Sequence, residues 1–193
     1  MPNVNQTVTR LRAVPMTVAA LMQRPMPEVH NYEADVLPLI RLWGEYQEGF
    51  THLLQQVPGN FYAVANFNLR HVEPGWCRQK LNFFDMKIGR LLLGKHWSRT
   101  PGLDRPSWIA VPEMATYLHY NMVWDVPIEH QENFFLNAPD IWRQVVPSGQ
   151  FHLQVIGETK EDHAAASGYS AKAFHPRWTI DNTITSTELR RNK

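Results

Sequence analysis

The spacing of hydrophobic positions changes several times along the chain, and each change marks an element. Residues 1 to 30 keep neither a helical nor a strand period; Pro2, Pro15, Pro25 and Pro27 interrupt them, and the expectation is a flexible arm. From about Asn31 to Val57 the apolar residues Val36, Leu37, Ile40, Trp43, Tyr46, Phe50, Leu53 and Leu54 recur at three- and four-residue steps. That stripe predicts an amphipathic helical extension over 31–58, stopped by Pro58 and Gly59. The period then falls to two in NFYAVANFNL, a strand with Asn66 and Asn68 on one side. Glu73, Pro74 and Gly75 read as a turn, and residues 78–96 read as a helix through Leu81, Phe84, Ile88, Leu91 and Leu92, with Gly94 favouring its end.

Two strands follow a polar loop. SWIAVP is the first; in the second, YLHYNMVWDV, alternation puts Tyr117, His119, Asn121, Val123 and Asp125 on one face and Leu118, Tyr120, Met122 and Trp124 on the other. Residues 129–145 are expected to be helical, burying Phe134, Phe135, Ile141, Trp142, Val145 and, just beyond, Val146, with a kink or break at Pro139. QFHLQVIG is a further strand. Glu158, Glu161 and Asp162 suit the start of a helix running through AAASGYSAKAF. Gly168 inside that helix suggests a close backbone approach. Residues 177–187 are β-prone, and 189–193 read as a frayed tail.

The element order β-α-β-β-α-β, then α and a last β, predicts an α+β chain of the split βαβ, ferredoxin-like kind over residues 59–188. The expected sheet is antiparallel with helices on one face; the other face is left to added segments or a ligand.

Composition narrows the classes. A chain of 193 residues with 44% hydrophobic residues can bury a core without staples, and no apolar run reaches the roughly 18 residues that span a bilayer. A signal peptide fits the N-terminus poorly, so a cytoplasmic location without membrane association is expected. Cys77 is the single cysteine, which excludes an internal disulfide and a thiolate metal cluster within one chain. Net charge is only +1, but residues 78–105 gather Arg78, Lys80, Lys87, Arg90, Lys95, Arg99 and Arg105 against Asp85 and Asp104. Such a cluster could serve phosphates, or be the solvated face of a helix and its loop.

The chemistry concentrates in two places. Glu113, His119 and Asn121 fall at one end of the paired strands, a carboxylate, an imidazole and an amide that suit Mg²⁺ or Mn²⁺. The same pattern is also that of a polar strand face with one hydrogen-bonded histidine. Tyr169 and Lys172, three apart on a helix, place a cation beside a phenol that needs one to act as a nucleophile. A tyrosine and lysine one turn apart also occur on ordinary solvated helices.

Taken together and in order, these segments resemble the HUH-type endonucleases, the replication initiators of circular single-stranded DNA viruses and the related rolling-circle proteins. FYAVANFN resembles the family's first motif, PEMATYLHYN its metal motif, and YSAK its YxxK motif. The resemblance spans roughly residues 59–188 and implies a single-stranded DNA endonuclease and strand transferase that forms a 5′-phosphotyrosyl intermediate. It implies Tyr169 as nucleophile, Lys172 as its support, Glu113, His119 and Asn121 as ligands of Mn²⁺ or Mg²⁺, and Asn66 and Asn68 as DNA-orienting residues. Lys87, Arg90, Lys95, Arg99 and Arg105 are the candidate phosphate contacts, with Trp and Tyr side chains stacking bases across the open sheet face. Asn121 departs from the family, which has His or Gln there; this leaves the ligand a weaker amide oxygen or absent. No G-x-x-x-x-G-K-[ST] loop is present, so a host helicase is an expected partner beside single-stranded DNA or an origin hairpin. A single-domain transposase, a binding module without cleavage and an unrelated α+β domain are the alternatives.

Overall fold

A computed structural model describes residues 32–57, 59–101, 104–114, 117–172 and 174–191; the expected arm at 1–30 lies outside them. Five strands, β1 (Phe61–Asn66), β2 (Ser107–Met114), β3 (Leu118–Asp125), β4 (Gln150–Val155) and β5 (Ile184–Thr185), form one sheet in the order β4-β1-β3-β2-β5, every pair antiparallel. The helices are α1 (Tyr32–Gln55), α2 (Pro74–Leu93), α3 (Gln131–Val145), α4 (Lys160–Ala171), α5 (Pro176–Asn182) and α6 (Ser186–Arg191). The chain is therefore α+β with an antiparallel sheet, as its alternating periods predict.

Period-two alternation sorts the strand side chains into two faces. One face presents Phe61, Ala63, Ala65, Trp108, Ala110, Tyr120, Met122 and Trp124 to Leu81, Phe84 and Ile88 of α2 and to Phe134, Ala138 and Trp142 of α3. The fully buried alanines leave room for the aromatic rings, and Trp124 packs 4.9 Å from Phe134. Trp108, Trp124 and Trp142 are thus core residues and do not face a ligand, contrary to the expectation that tryptophans line the open sheet.

The second face, left by the sequence reading to added segments or a ligand, is covered in part by helices. Ile109, Val111 and Val123 are apolar there and need cover; Phe50 and Leu54 of α1 and Ala171 of α4 supply it. The remainder of this face, with Asn66, His119, Gln150, His152 and Gln154, stays at least partly open to solvent.

Several local expectations change. Glu73, Pro74 and Gly75 do not form a separate turn: Pro74 opens α2, where its missing N–H costs nothing. Gly94 ends α2 with φ 76, and its N–H bonds the Arg90 carbonyl. Helix α3 runs unbroken through Pro139, held by the buried stripe Phe134, Ala138, Ile141, Trp142 and Val145, while Phe135 is exposed. The β-prone segment 177–187 is mostly helix α5 with a two-residue strand: His175 caps α5, and the Thr183 hydroxyl donates to the Thr179 carbonyl. Nor are residues 189 and 190 frayed. Leu189 is buried, and Arg190 bonds the buried Asp85 at 2.6 and 3.1 Å.

Candidate active site

Strand pairing assembles the first part of the site. Glu113 and His119 are direct partners across β2 and β3, and Asn121 lies two residues along the same face. Glu113 Oε2 is 3.0 Å from His119 Nε2 and accepts a hydrogen bond from Asn121 Nδ2 at 2.8 Å. Glu113 and Asn121 are buried; His119 keeps an open edge. Burial pushes the Glu113 carboxyl up, but the Asn121 hydrogen bond, the adjacent His119 imidazole and the Lys172 ammonium outweigh it and hold it below the ordinary carboxylate range.

The imidazole carries the clearest chemical signal. Its Nδ1 lies 3.3 Å from the Tyr117 carbonyl and its Nε2 lies 3.0 Å from the Glu113 carboxylate, so both nitrogens face oxygen acceptors. A neutral imidazole has one N–H and would set a lone pair against one of those oxygens. A proton, or a cation between Nε2 and Oε2, removes the conflict; a ring nitrogen donating to a backbone carbonyl is the usual support of a metal-bound histidine.

The donor spacing fits a small divalent ion. Two ligands at right angles about 2.1 Å from Mg²⁺ or Mn²⁺ lie about 3.0 Å apart, the separation of Glu113 Oε2 from His119 Nε2, which is equally that of a hydrogen-bonded pair. Asn121 is turned the other way: its Nδ2 faces Glu113, and its Oδ1 accepts from the Tyr62 hydroxyl at 2.6 Å. Ligation by Oδ1 requires a half-turn of the amide, after which Tyr62 would accept from Nδ2 rather than donate. Tyr62 is a site residue that sequence reasoning passed over. Strand alternation puts it on the face of Val64 and Asn66, and β1 pairs it opposite Val123, one step from Asn121. Burial, with Tyr169 and Glu113 nearby, raises its hydroxyl above the ordinary phenol range, so it remains a neutral donor.

Helix α4 delivers the second part. Thr159 and Asp162 form a reciprocal capping box that fixes its start. Near its end, Lys172 Nζ lies 3.3 Å from Glu113 Oε1 and 3.7 Å from the centroid of the Tyr169 ring. Tyr169 is half exposed and packs edge-on to Tyr62 with centroids 5.7 Å apart. Contact with Tyr169 first, and then with Glu113, raises Lys172 above the ordinary lysine range. Thus Glu113, His119, Asn121, Tyr169 and Lys172 converge on one sheet face.

The other sequence candidates divide. Asn66 pairs opposite His119 and borders the site; its Oδ1 accepts from the Asn68 N–H, and Asn68, at φ 55, donates to the Ser148 carbonyl. Both therefore also hold the β1 exit turn. Lys87 and Arg90 lie on α2, across the sheet from His119; Lys87 bonds Gln144 and sits over Phe83. Lys95 and Arg99 follow α2 on exposed backbone, and Arg105 reaches the Ser98 carbonyl. The local positive excess is reduced because Arg78 pairs with Glu188. Gly168 faces open space: a Cβ there would meet nothing within 4 Å, so close packing within the chain does not explain it.

Comparison with protein-family models, with curated proteins and with solved structures finds no match to this chain. Among the described residues, no helix is long and apolar enough to cross a membrane.

Proposed function

We propose that the chain is a metal-assisted tyrosine endonuclease and strand transferase acting on single-stranded DNA, of the kind that initiates rolling-circle replication. The observation that carries this reading is His119, whose two nitrogens both face oxygens beside a buried carboxylate, with Lys172 linking that carboxylate to Tyr169. The element order, with β3 between β1 and β2 and β1 between β3 and β4, supports reading the sheet as a ferredoxin-like split βαβ with α1 as an added helix.

Glu113 and His119, joined by the Asn121 oxygen after its half-turn, would hold Mn²⁺ or Mg²⁺; the ion supplies Lewis-acid polarisation of a phosphodiester. Tyr169 Oη attacks phosphorus in line with the 3′ oxygen. The Oη–P bond forms, the P–O3′ bond breaks, and the phenolic proton ends on the departing 3′-hydroxyl. Lys172 stabilises the phenolate charge as it develops. The open strip of Asn66, Gln150, His152 and Gln154 offers hydrogen-bonding groups to the strand.

With Mn²⁺ and an oligonucleotide selected from a random single-stranded pool, a denaturation-resistant protein–DNA adduct should form and be lost in Tyr169→Phe. An adduct that persists in that variant refutes the nucleophile assignment. One observation favours a second reading, a DNA-binding module without cleavage: Lys172 and both ends of the Asn121 amide satisfy Glu113 and its neighbours with no ion. Chelator-insensitive retention on single-stranded DNA with no adduct would select it.

A further inference from the structure

Helix α4 carries both Tyr169 and Lys172, yet much of its packing comes from α1, which lies outside every motif of the site. Gln47 Nε2 of α1 donates to the Ala171 carbonyl at 2.9 Å, at the last residue of α4 and immediately before Lys172. That carbonyl also accepts from the Phe174 N–H at 3.1 Å, so Gln47 adds a second bond to the turn that closes the helix. Phe50 and Leu54, one and two turns further along α1, are fully buried against Ala171 and Ala166 and against Ile109, Val111 and Val123 of the sheet. The Phe50 ring lies 5.0 Å from Phe174, just beyond the helix end. Helix α1 therefore packs beside the end of α4 on the same sheet face, at the residues next to Lys172.

We infer that Gln47, Phe50 and Leu54 are positioning residues: α1 fixes the last turn of α4 so that Lys172 meets Glu113 and Tyr169 meets Tyr62. The inference rests on the proposed roles of Tyr169 and Lys172 for its catalytic consequence, but not for its structural one. Glu113, His119 and Asn121 are placed by the pairing of β2 with β3 rather than by a hydrogen bond from α1. Disturbing α1 should loosen the nucleophile while leaving the ion-binding residues in place. A general loss of stability would affect both.

Gln47→Met keeps the length and removes the donor; Gln47→Lys restores a donor of a kind favoured at helix C-termini. One hydrogen bond of ordinary strength corresponds to roughly fivefold in an equilibrium. In Gln47→Met, amide exchange over residues 169–172 should quicken roughly fivefold, with β1 and β3 unchanged and Mn²⁺ affinity, read by electron paramagnetic resonance, within about twofold. The adduct-forming rate at saturating oligonucleotide should fall by a similar factor, with the half-saturating concentration unchanged, and Gln47→Lys should recover both. Phe50→Leu, which thins the apolar contact without deleting it, should act in the same direction. Unchanged exchange at 169–172, or exchange that quickens equally across the sheet, overturns the inference. If the wild-type protein forms no adduct, the endonuclease reading falls, and the exchange comparison still decides whether α1 positions α4.

Discussion

Glu113 is the residue whose replacement is most informative, because three groups depend on it. Its Oε2 takes the Asn121 amide at 2.8 Å and faces His119 at 3.0 Å, while Oε1 pairs with Lys172 at 3.3 Å. In Glu113→Ala the Asn121 Nδ2 loses its acceptor while almost fully buried, which costs about 1–3 kcal/mol. The half-exposed Lys172 loses a partner worth about 0–1 kcal/mol after solvent screening. A total of about 1–4 kcal/mol lowers the melting temperature of a chain this size by roughly 2–16 °C. Glu113→Gln retains an acceptor for Asn121 and should lose less. It also removes a carboxyl held below its ordinary value, whose contribution is complete above the unfolded pKa of about 4.5 and is lost as pH falls through the lower folded value. Urea unfolding at pH 7 and across pH 3–6 checks both points. The wild-type protein should lose stability on acidification more steeply than Glu113→Gln. Equal acid limbs, or a Glu113→Ala protein as stable as wild type, would refute the account of this carboxylate.

Three further outcomes are expected. Gly168→Ala should stabilise the chain by about 0.5–1 kcal/mol in urea unfolding, since the added methyl meets open space in a helix interior; lost DNA binding in that stable variant would show that the backbone there must approach a ligand. Arg190→Met should cost about 3 kcal/mol by the same measurement, because it leaves the Asp85 carboxylate buried with the Trp108 indole and no cation. Mn²⁺ at 100 times its Kd should raise wild-type stability by about 2.7 kcal/mol and leave His119→Ala unmoved, as read by thermal unfolding with and without chelator.

The strands were legible because alternation is a strong signal when one face is buried. Phe61, Ala63 and Ala65 on β1, and Leu118, Tyr120, Met122 and Trp124 on β3, all face the core that the pattern assigns to them. The helix ends were less legible. Pro74 reads equally as a turn or as a first helical residue, and only the packing of Cys77 and Leu81 decides. The convergence of Glu113, His119 and Asn121 followed from pairing two neighbouring strands. Tyr62 was missed because its relation to Asn121 depends on β1 lying beside β3, a long-range pairing that no local period encodes. The same holds for Gln47, whose partner Ala171 is 124 residues away. Arg190 looked like part of a tail, and its pairing with Asp85 is equally nonlocal.

In the proposed mechanism, Tyr169 and a divalent ion meet at one phosphate. A crystal structure of the protein with Mn²⁺ and a bound single strand tests it directly. The account predicts an anomalous Mn²⁺ peak bonded to Glu113 and His119, the Asn121 amide turned so that Oδ1 faces the ion, and Tyr169 Oη about 3–3.5 Å from the phosphorus it attacks. A peak elsewhere, or a Tyr169 that cannot approach the phosphate held at Glu113 and His119, would contradict it.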